Sequence, residues 1–245
     1  MTEEAQSEFD TRGDGAALVE RVHDAVRQAI LKCDLGPDSV VSQVQLAKQF
    51  GVSRTPLREV LRLLEHEGLV ESRHNRRVRI TGFSVDDFEQ IYASRVLLES
   101  LAARHAMRSM SPAVIEELAR TLDVMRAAAE DNDYEAWHQP HRRFHTLVTQ
   151  QAGPRISQQI EQLADHADRY RRIYATRGQL TFQMGLPPHE RILESSRQFD
   201  AEGVARAVAR HLAGAAISAL RTLSPDHDPA LVRHALDMAL STRTT

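Results

Sequence analysis

Twelve histidines stand in this chain of 245 residues, against a single cysteine, Cys33. Two of them, His141 and His145, are four residues apart, so a helix carries both on one face with side chains able to converge. His189 sits beside Ile192 and Leu193, and His211 shares a stripe with Val204, Val208 and Ala215. Both settings are apolar faces of predicted helices. Four imidazoles from three helices, all on apolar faces, could meet in a bundle core and hold a borderline divalent metal. A His pair at this spacing also arises by chance, and each of the four taken singly reads as an ordinary hydrogen-bonded histidine, so both readings stay open. A metal-dependent hydrolase is the alternative from another class. It needs a carboxylate base, and the run HRRFH has Arg142 where a zincin has Glu. No nucleophile elbow or phosphate loop occurs elsewhere. His138, one turn before His141, reads as a rim residue, and His23, His66, His105, His166, His227 and His234 show no clustering.

A second set of residues suits contact with a polyanion. Arg54, Arg58 and Arg62 recur every four residues, on a different face from Leu57, Val60, Leu61 and Leu64. The predicted helix that carries them starts at Ser53, whose hydroxyl is expected to cap it, and Pro56 is tolerated in the first turn. A shorter helix from about Gln43 to Phe50 precedes it, with Gly51 as the turn. A short helix, a glycine turn and an Arg-rich helix start make a helix-turn-helix whose second helix reads the major groove. The bland account of the same arginines is i,i+4 pairing with Glu59 or Glu65. Leu69 to Arg73 and Val78 to Thr81 then read as a hairpin, a wing with His74-Asn75-Arg76 at its tip.

Charge is distributed to match. The chain totals −3, with Met1 to Gly15 at −4, residues 16–82 at +3 and residues 83–245 at −2. Residues 48–79 alone hold eight basic against four acidic side chains. The near-neutral total therefore conceals a local basic patch. Met1 to Gly15 reads as a disordered acidic tail. It lacks a basic start followed by an apolar run, and no later stretch nears the roughly 20 apolar residues that span a bilayer. With one cysteine excluding an internal disulfide, the cytoplasm is the expected compartment.

The elements that must position these residues are mainly α-helical. A helix from Ala16 to Cys33 opens residues 16–82. In residues 83–245 helices read from Ser84 to Met110, from Ser111-Pro112, from about Tyr134 to Ala152, from Arg155 to Thr176, from Pro188 to Phe199, from Asp200 or Ala201 to Leu223, and from Pro229 to Leu240. Pro140 either kinks the third or marks its first turn. No strand is predicted after residue 82, so a winged helix-turn-helix is followed by an all-helical bundle.

The run GVSRTPLREVLRLLEHEGLVESRHNRR, residues 51–77, resembles the winged helix-turn-helix of the GntR family of bacterial transcription regulators. The resemblance implies contacts to double-stranded DNA from Ser53, Arg54, Thr55 and Arg58, with His74 and Arg76 at the wing tip. The chain departs from the family at Val44, where many relatives carry an Arg, and at Arg77, where the wing often has Gly. Residues 141–145, PHERIL at 188–193 and His211 within AVARHLAG resemble the effector-binding FCD domain of the FadR subgroup. That implies a divalent metal held by His145, His189 and His211, with His141 where the family has Asp, and a small carboxylate effector received beside it. If His141 also ligates, the four neutral imidazoles favour Zn²⁺ or Ni²⁺ over Mn²⁺ or Mg²⁺. RVLLES places Arg95 in a family element whose Arg faces the effector, although a pair with Glu99 explains it equally well. Arg169, Tyr170 and Arg172 read as a solvated charged face that could add anion contacts. The expected protein is a homodimer on a pseudo-palindromic operator, a repressor with no membrane partner. The same DNA function with a metal-free pocket is the remaining alternative.

Overall fold

The computed structural model describes residues 15–73, 76–175 and 186–241, with the backbone alone for 173–175. Among these residues are ten α-helices and three short strands, and the chain divides between Phe83 and Ser84 into two compact units. None of the described helices is long and apolar enough to cross a membrane.

The first unit runs α1 (Gly15–Leu31), β1 (Val40–Ser42), α2 (Gln43–Gln49), α3 (Arg54–His66), β2 (Val70–Arg73) and β3 (Arg77–Ile80). Helix α1 starts at Gly15, one residue before the expected boundary, and stops short of Cys33. Its buried Val22, Val26 and Ile30 meet Leu57, Val60 and Leu64 of α3 in one core. Ser42 caps α2 in a capping box: its Oγ accepts from the Gln45 amide at 3.1 Å, and the Gln45 side chain accepts from the Ser42 amide at 3.2 Å. Gly51 and Gly68, at φ +66° and +71°, turn the chain before and after α3 in a conformation that costs glycine nothing.

The wing is a three-stranded antiparallel sheet in the order β1-β3-β2, not a two-stranded hairpin. Val70 pairs with Ile80 and Arg73 with Arg77, while Val40 pairs with Arg79 and Ser42 with Arg77. Three residues of β1 carry no alternating pattern, and their partner lies almost forty positions away, which is why local sequence does not announce the strand.

The second unit is helical throughout the described residues: α4 (Val85–Ala106), α5 (Pro112–Glu130), α6 (Tyr134–Thr149), α7 (Pro154–Ala175), α8 (Leu186–Arg197), α9 (Ala201–Leu223) and α10 (Ala230–Leu240), with a 3₁₀ turn Gln150–Ala152 between α6 and α7. Side-chain oxygens of Ser84, Ser111, Asp133 and Asp200 cap α4, α5, α6 and α9. Helix α4 is central, packing on α6, α7, α9 and α10, while α8 lies against α5 and α9. Since α6 begins at Tyr134 behind its Asp133 cap, Pro140 is interior to the helix and does not mark a first turn. The buried Trp137, Phe144, Leu147 and Val148 supply the packing that offsets the hydrogen bond a proline forfeits.

Candidate nucleic-acid interface and metal centre

The first unit presents Ser53, Arg54, Thr55 and Arg58 together, all exposed, at the start of α3. The expected cap is not made. Ser53 occupies the N-cap position, but its hydroxyl forms no capping bond, so it is available to another partner. Arg62 is not equivalent to the other two arginines of its stripe, because its Nη2 donates to Glu59 at 2.6 Å. On the wing, Arg76 is exposed at φ +58°, while His74 lies outside the described residues. Arg73 is engaged by Glu71 at 2.6 Å, and Arg79 by Asp38 and Glu71. The described cations of the wing without such an ion pair are thus Arg76 and Arg77. The exposed Val44 faces solvent from α2.

In the second unit His141 and His145 of α6, His189 of α8 and His211 of α9 meet. All four are buried, and one nitrogen from each lies within 4.8 Å of those of the others. Their ring centroids are 4.3–6.5 Å apart. Three helices achieve this because each histidine sits on its helix's apolar side: Phe144 and Val148 on α6, Ile192 and Leu193 on α8, Val204 and Val208 on α9. Burial is the largest influence holding His141 and His211 well below the ordinary imidazole range, with the Arg171 cation adding at His141 and neighbouring imidazoles at His211. His145 is likewise lowered by burial, against the opposing pull of Glu99. These three rings are therefore neutral near pH 7, the form that donates a lone pair to a metal.

Glu99 and Arg95 stand directly behind the cluster on α4. Arg95 Nε donates to Glu99 Oε1 at 2.7 Å, and Glu99 Oε2 lies 3.3 Å from His145 Nδ1. A carboxylate only accepts, so Nδ1 carries the proton and Nε2 carries the lone pair. That Nε2 is buried and has no hydrogen-bond partner among the described residues. A histidine turned by a carboxylate, with its other nitrogen bare beside three more imidazoles, fits a metal ligand. Arg95 thus makes the pair with Glu99 that the sequence offered as one reading, and its side chain also lines a cavity of about 130 Å³ beside His141 and His145.

Arg171 lines the same cavity and was not among the expected site residues. Its Nη1 is 3.2 and 3.3 Å from the two nitrogens of His141, and its Nη2 donates to Asp168 at 2.6 Å. Trp137 stacks on His141 at 4.2 Å. His138 is not on a rim: it is buried, with Nε2 3.1 Å from Asp168. Nor are Arg169 and Tyr170 on a solvated face. Both are buried, because α7 packs on α4 and α6, and Tyr170 O–H donates to Asp87 at 2.6 Å. Arg172 pairs with Glu135 and lies over the Tyr134 ring. A run as polar as DHADRYRR gives no periodic signal of burial, so only the contacts of α7 reveal that Asp168 and Arg171 belong to the site.

Two family models match this chain in succession. Residues 18–80 match the bacterial regulatory proteins of the gntR family, and residues 90–214, half of the chain, match the FCD domain. The chain belongs to the GntR family of FCD-containing regulators. Among relatives of this GntR protein, an HTH-type transcriptional regulator in the TAR-I ttuE-ttuC' intergenic region of Agrobacterium vitis is 33% identical over 155 residues, 60% of this chain and 91% of the relative. The HTH-type transcriptional repressor RspR of Escherichia coli K12 is 26% identical over 200 residues, 79% of this chain and 85% of RspR. Among solved structures, E. coli McbR/YncC shares the fold with a TM-score of 0.68 at 20% identity, covering 83% of this chain and 98% of the other. GntR membership makes the protein a DNA-binding transcription regulator rather than an enzyme, with α2 and α3 as its helix-turn-helix. The buried His cluster of its FCD domain could hold a metal.

Proposed function

We propose that this GntR regulator is a cytoplasmic homodimeric repressor that releases a pseudo-palindromic operator in response to a small carboxylate effector bound at a metal. The convergence of four buried imidazoles beside a cavity lined by Arg95 and Arg171 carries this reading. His141, His145, His189 and His211 would hold a divalent ion, Zn²⁺ or Ni²⁺ by the chemistry of an all-imidazole set. When bound, the ion supplies a Lewis acid for a carboxylate oxygen. The chain's own residues do the rest: Glu99 orients His145, and the guanidinium groups of Arg95 and Arg171 meet the remaining negative charge. Residues 16–82 would read DNA through Ser53, Arg54, Thr55, Arg58, His74 and Arg76. Residues 83–245 would bind effector and dimerise, and the exposed Leu97 and Leu101 on α4 offer apolar surface to a second copy. Similarity to RspR, a transcriptional repressor, supports repression.

Elemental analysis of untagged protein purified without chelator tests the centre, with a stoichiometric transition metal expected. A mere trace would favour the second reading, a metal-free pocket, which Arg171 supports by lying within hydrogen-bond reach of both His141 nitrogens.

A further inference from the structure

Helices α8 and α9 enclose a further cavity, of about 340 Å³, which shares no lining residue with the one beside the histidines. The two helices pack together and only Gln198, Phe199 and Asp200 join them, so they run antiparallel. Ser195 and Asp200 therefore lie at the end of the groove next to this connection, and Arg191 and Arg210 at the end away from it, with Arg206 between. Gly203 and Ala207, one turn apart on α9, keep the groove open. A Cβ at position 203 would run into the Asp200 carboxylate.

The two ends differ in charge. Arg191 and Arg210 are exposed and have no hydrogen bond or ion pair among the described residues, and Arg206 is held only by Asp200 at 3.9 Å. At the other end Asp200 Oδ1 accepts from the Gly203 amide at 2.8 Å, and Glu194 Oε1 from the Gln198 side chain at 2.8 Å. Each carboxylate keeps lone pairs for another donor, and the half-buried Ser195 hydroxyl has no hydrogen-bond partner among the described residues. Converging guanidinium groups suit a phosphate, whose oxygens take their parallel N–H donors in pairs. Carboxylates repel a second phosphate but accept from hydroxyl groups. We propose that this groove binds the phosphomonoester of a small polyhydroxylated molecule. Its phosphate rests on Arg191, Arg206 and Arg210, and its hydroxyls on Glu194, Ser195 and Asp200. The volume is that of an ordinary small-ligand pocket.

Calorimetric titration of the full-length protein with ribose 5-phosphate and with inorganic phosphate, at equal pH and ionic strength, tests this. Ribose 5-phosphate is expected to bind about tenfold or more tighter than inorganic phosphate, because only the ester reaches the acidic end. Arg191→Ala and Arg210→Ala should each weaken it about tenfold, the loss expected of a hydrogen bond to a charged group. Arg221→Ala, which removes an exposed arginine of α9 outside the groove, should keep wild-type affinity. Urea unfolding should be unchanged in all three, since each side chain is exposed. Equal affinity for phosphate and ester would overturn the hydroxyl-binding end. Ester binding that survives Arg191→Ala and Arg210→Ala combined would place the ligand elsewhere, as against Arg95 and Arg171, and overturn the groove. No binding of either phosphate by wild type, together with weaker binding of random-sequence duplex by the combined variant, would make these arginines a contact to the DNA backbone and overturn the small-ligand site.

Discussion

Glu99 Oε2 lies 3.3 Å from Nδ1 of His145, and the carboxylate making that contact has no exposure to solvent. Burial is the largest influence on Glu99 and pushes its pKa up, but Arg95 and His145 together outweigh it and hold it at about 2. Glu99 therefore stays an anion, fixes the tautomer of His145, and joins the proposed effector arginine to the proposed metal centre in one chain of contacts.

Exchange of Glu99 for Gln keeps the shape and removes the charge. It leaves Arg95 buried without its anion, which should cost about 3–5 kcal/mol of stability. Its effect on His145 should also lower metal affinity by about 10–100-fold, as expected for a group that orients a ligand. Urea unfolding of the apo-protein reads the first effect and Ni²⁺ titration the second. Unchanged stability would mean that Arg95 finds another anion.

Asp168 yields a pH prediction. Burial, the largest influence, raises its pKa, yet Arg171, His138 and Arg142 outweigh it and hold the carboxyl well below the usual range. The unfolded chain then binds the proton more readily than the folded one. The stability Asp168 contributes is complete above its unfolded pKa of about 4 and drains away as pH falls below that value toward the folded one. Asp168→Asn should be less stable at pH 7 and should show a flatter stability profile between about pH 4 and pH 2. Denaturation across that range checks it, and an unaltered slope would assign the acid sensitivity to other carboxylates.

The histidines were legible in sequence because each sits among aliphatic residues on a regular helical stripe. His141 and His145 announce a shared face by spacing alone, and His189 and His211 do so through Ile192 and Val208. Arg171 and Asp168 were not legible, since burial of a charged side chain depends on partners brought by other helices and leaves no periodic trace in its own. Glu99 was visible only as a partner for Arg95; its hold on His145 depends on where α6 crosses α4. In the first unit α3 follows directly from its apolar face, whereas β1 depends on a non-local pairing with β3. Pro140 shows the limit of local rules, because tertiary packing carries α6 through it.

The arginine stripe of α3 should divide functionally. Arg54 and Arg58 are exposed with no ion pair among the described residues, whereas Arg62 is held by Glu59 at 2.6 Å. If Arg58 reads a base, Arg58→Ala should cost about 1–3 kcal/mol of operator affinity, and Arg54→Ala a similar amount. Arg62→Ala should change it little, since its exposed pair with Glu59 already competes for the guanidinium. Gel shifts on DNA selected by the wild-type protein from random sequence measure all three. Equal losses at positions 58 and 62 would show that the stripe acts only through its summed charge, which a matching drop in salt dependence would confirm.

Two serines at helix starts should separate folding from DNA binding. Ser42 Oγ accepts from the Gln45 amide at 3.1 Å, so Ser42→Ala removes half of a capping box and should cost about 1 kcal/mol of stability. Ser53 makes no such bond, so Ser53→Ala should leave stability within about 0.5 kcal/mol of wild type. Its hydroxyl is exposed next to Arg54, where a phosphate or base can accept from it, and its loss should weaken operator binding by about 0.5–1.5 kcal/mol. Thermal unfolding and gel shift on both variants make the comparison. A Ser53→Ala protein that melts early yet binds DNA normally would return the residue to the capping role its position first suggests.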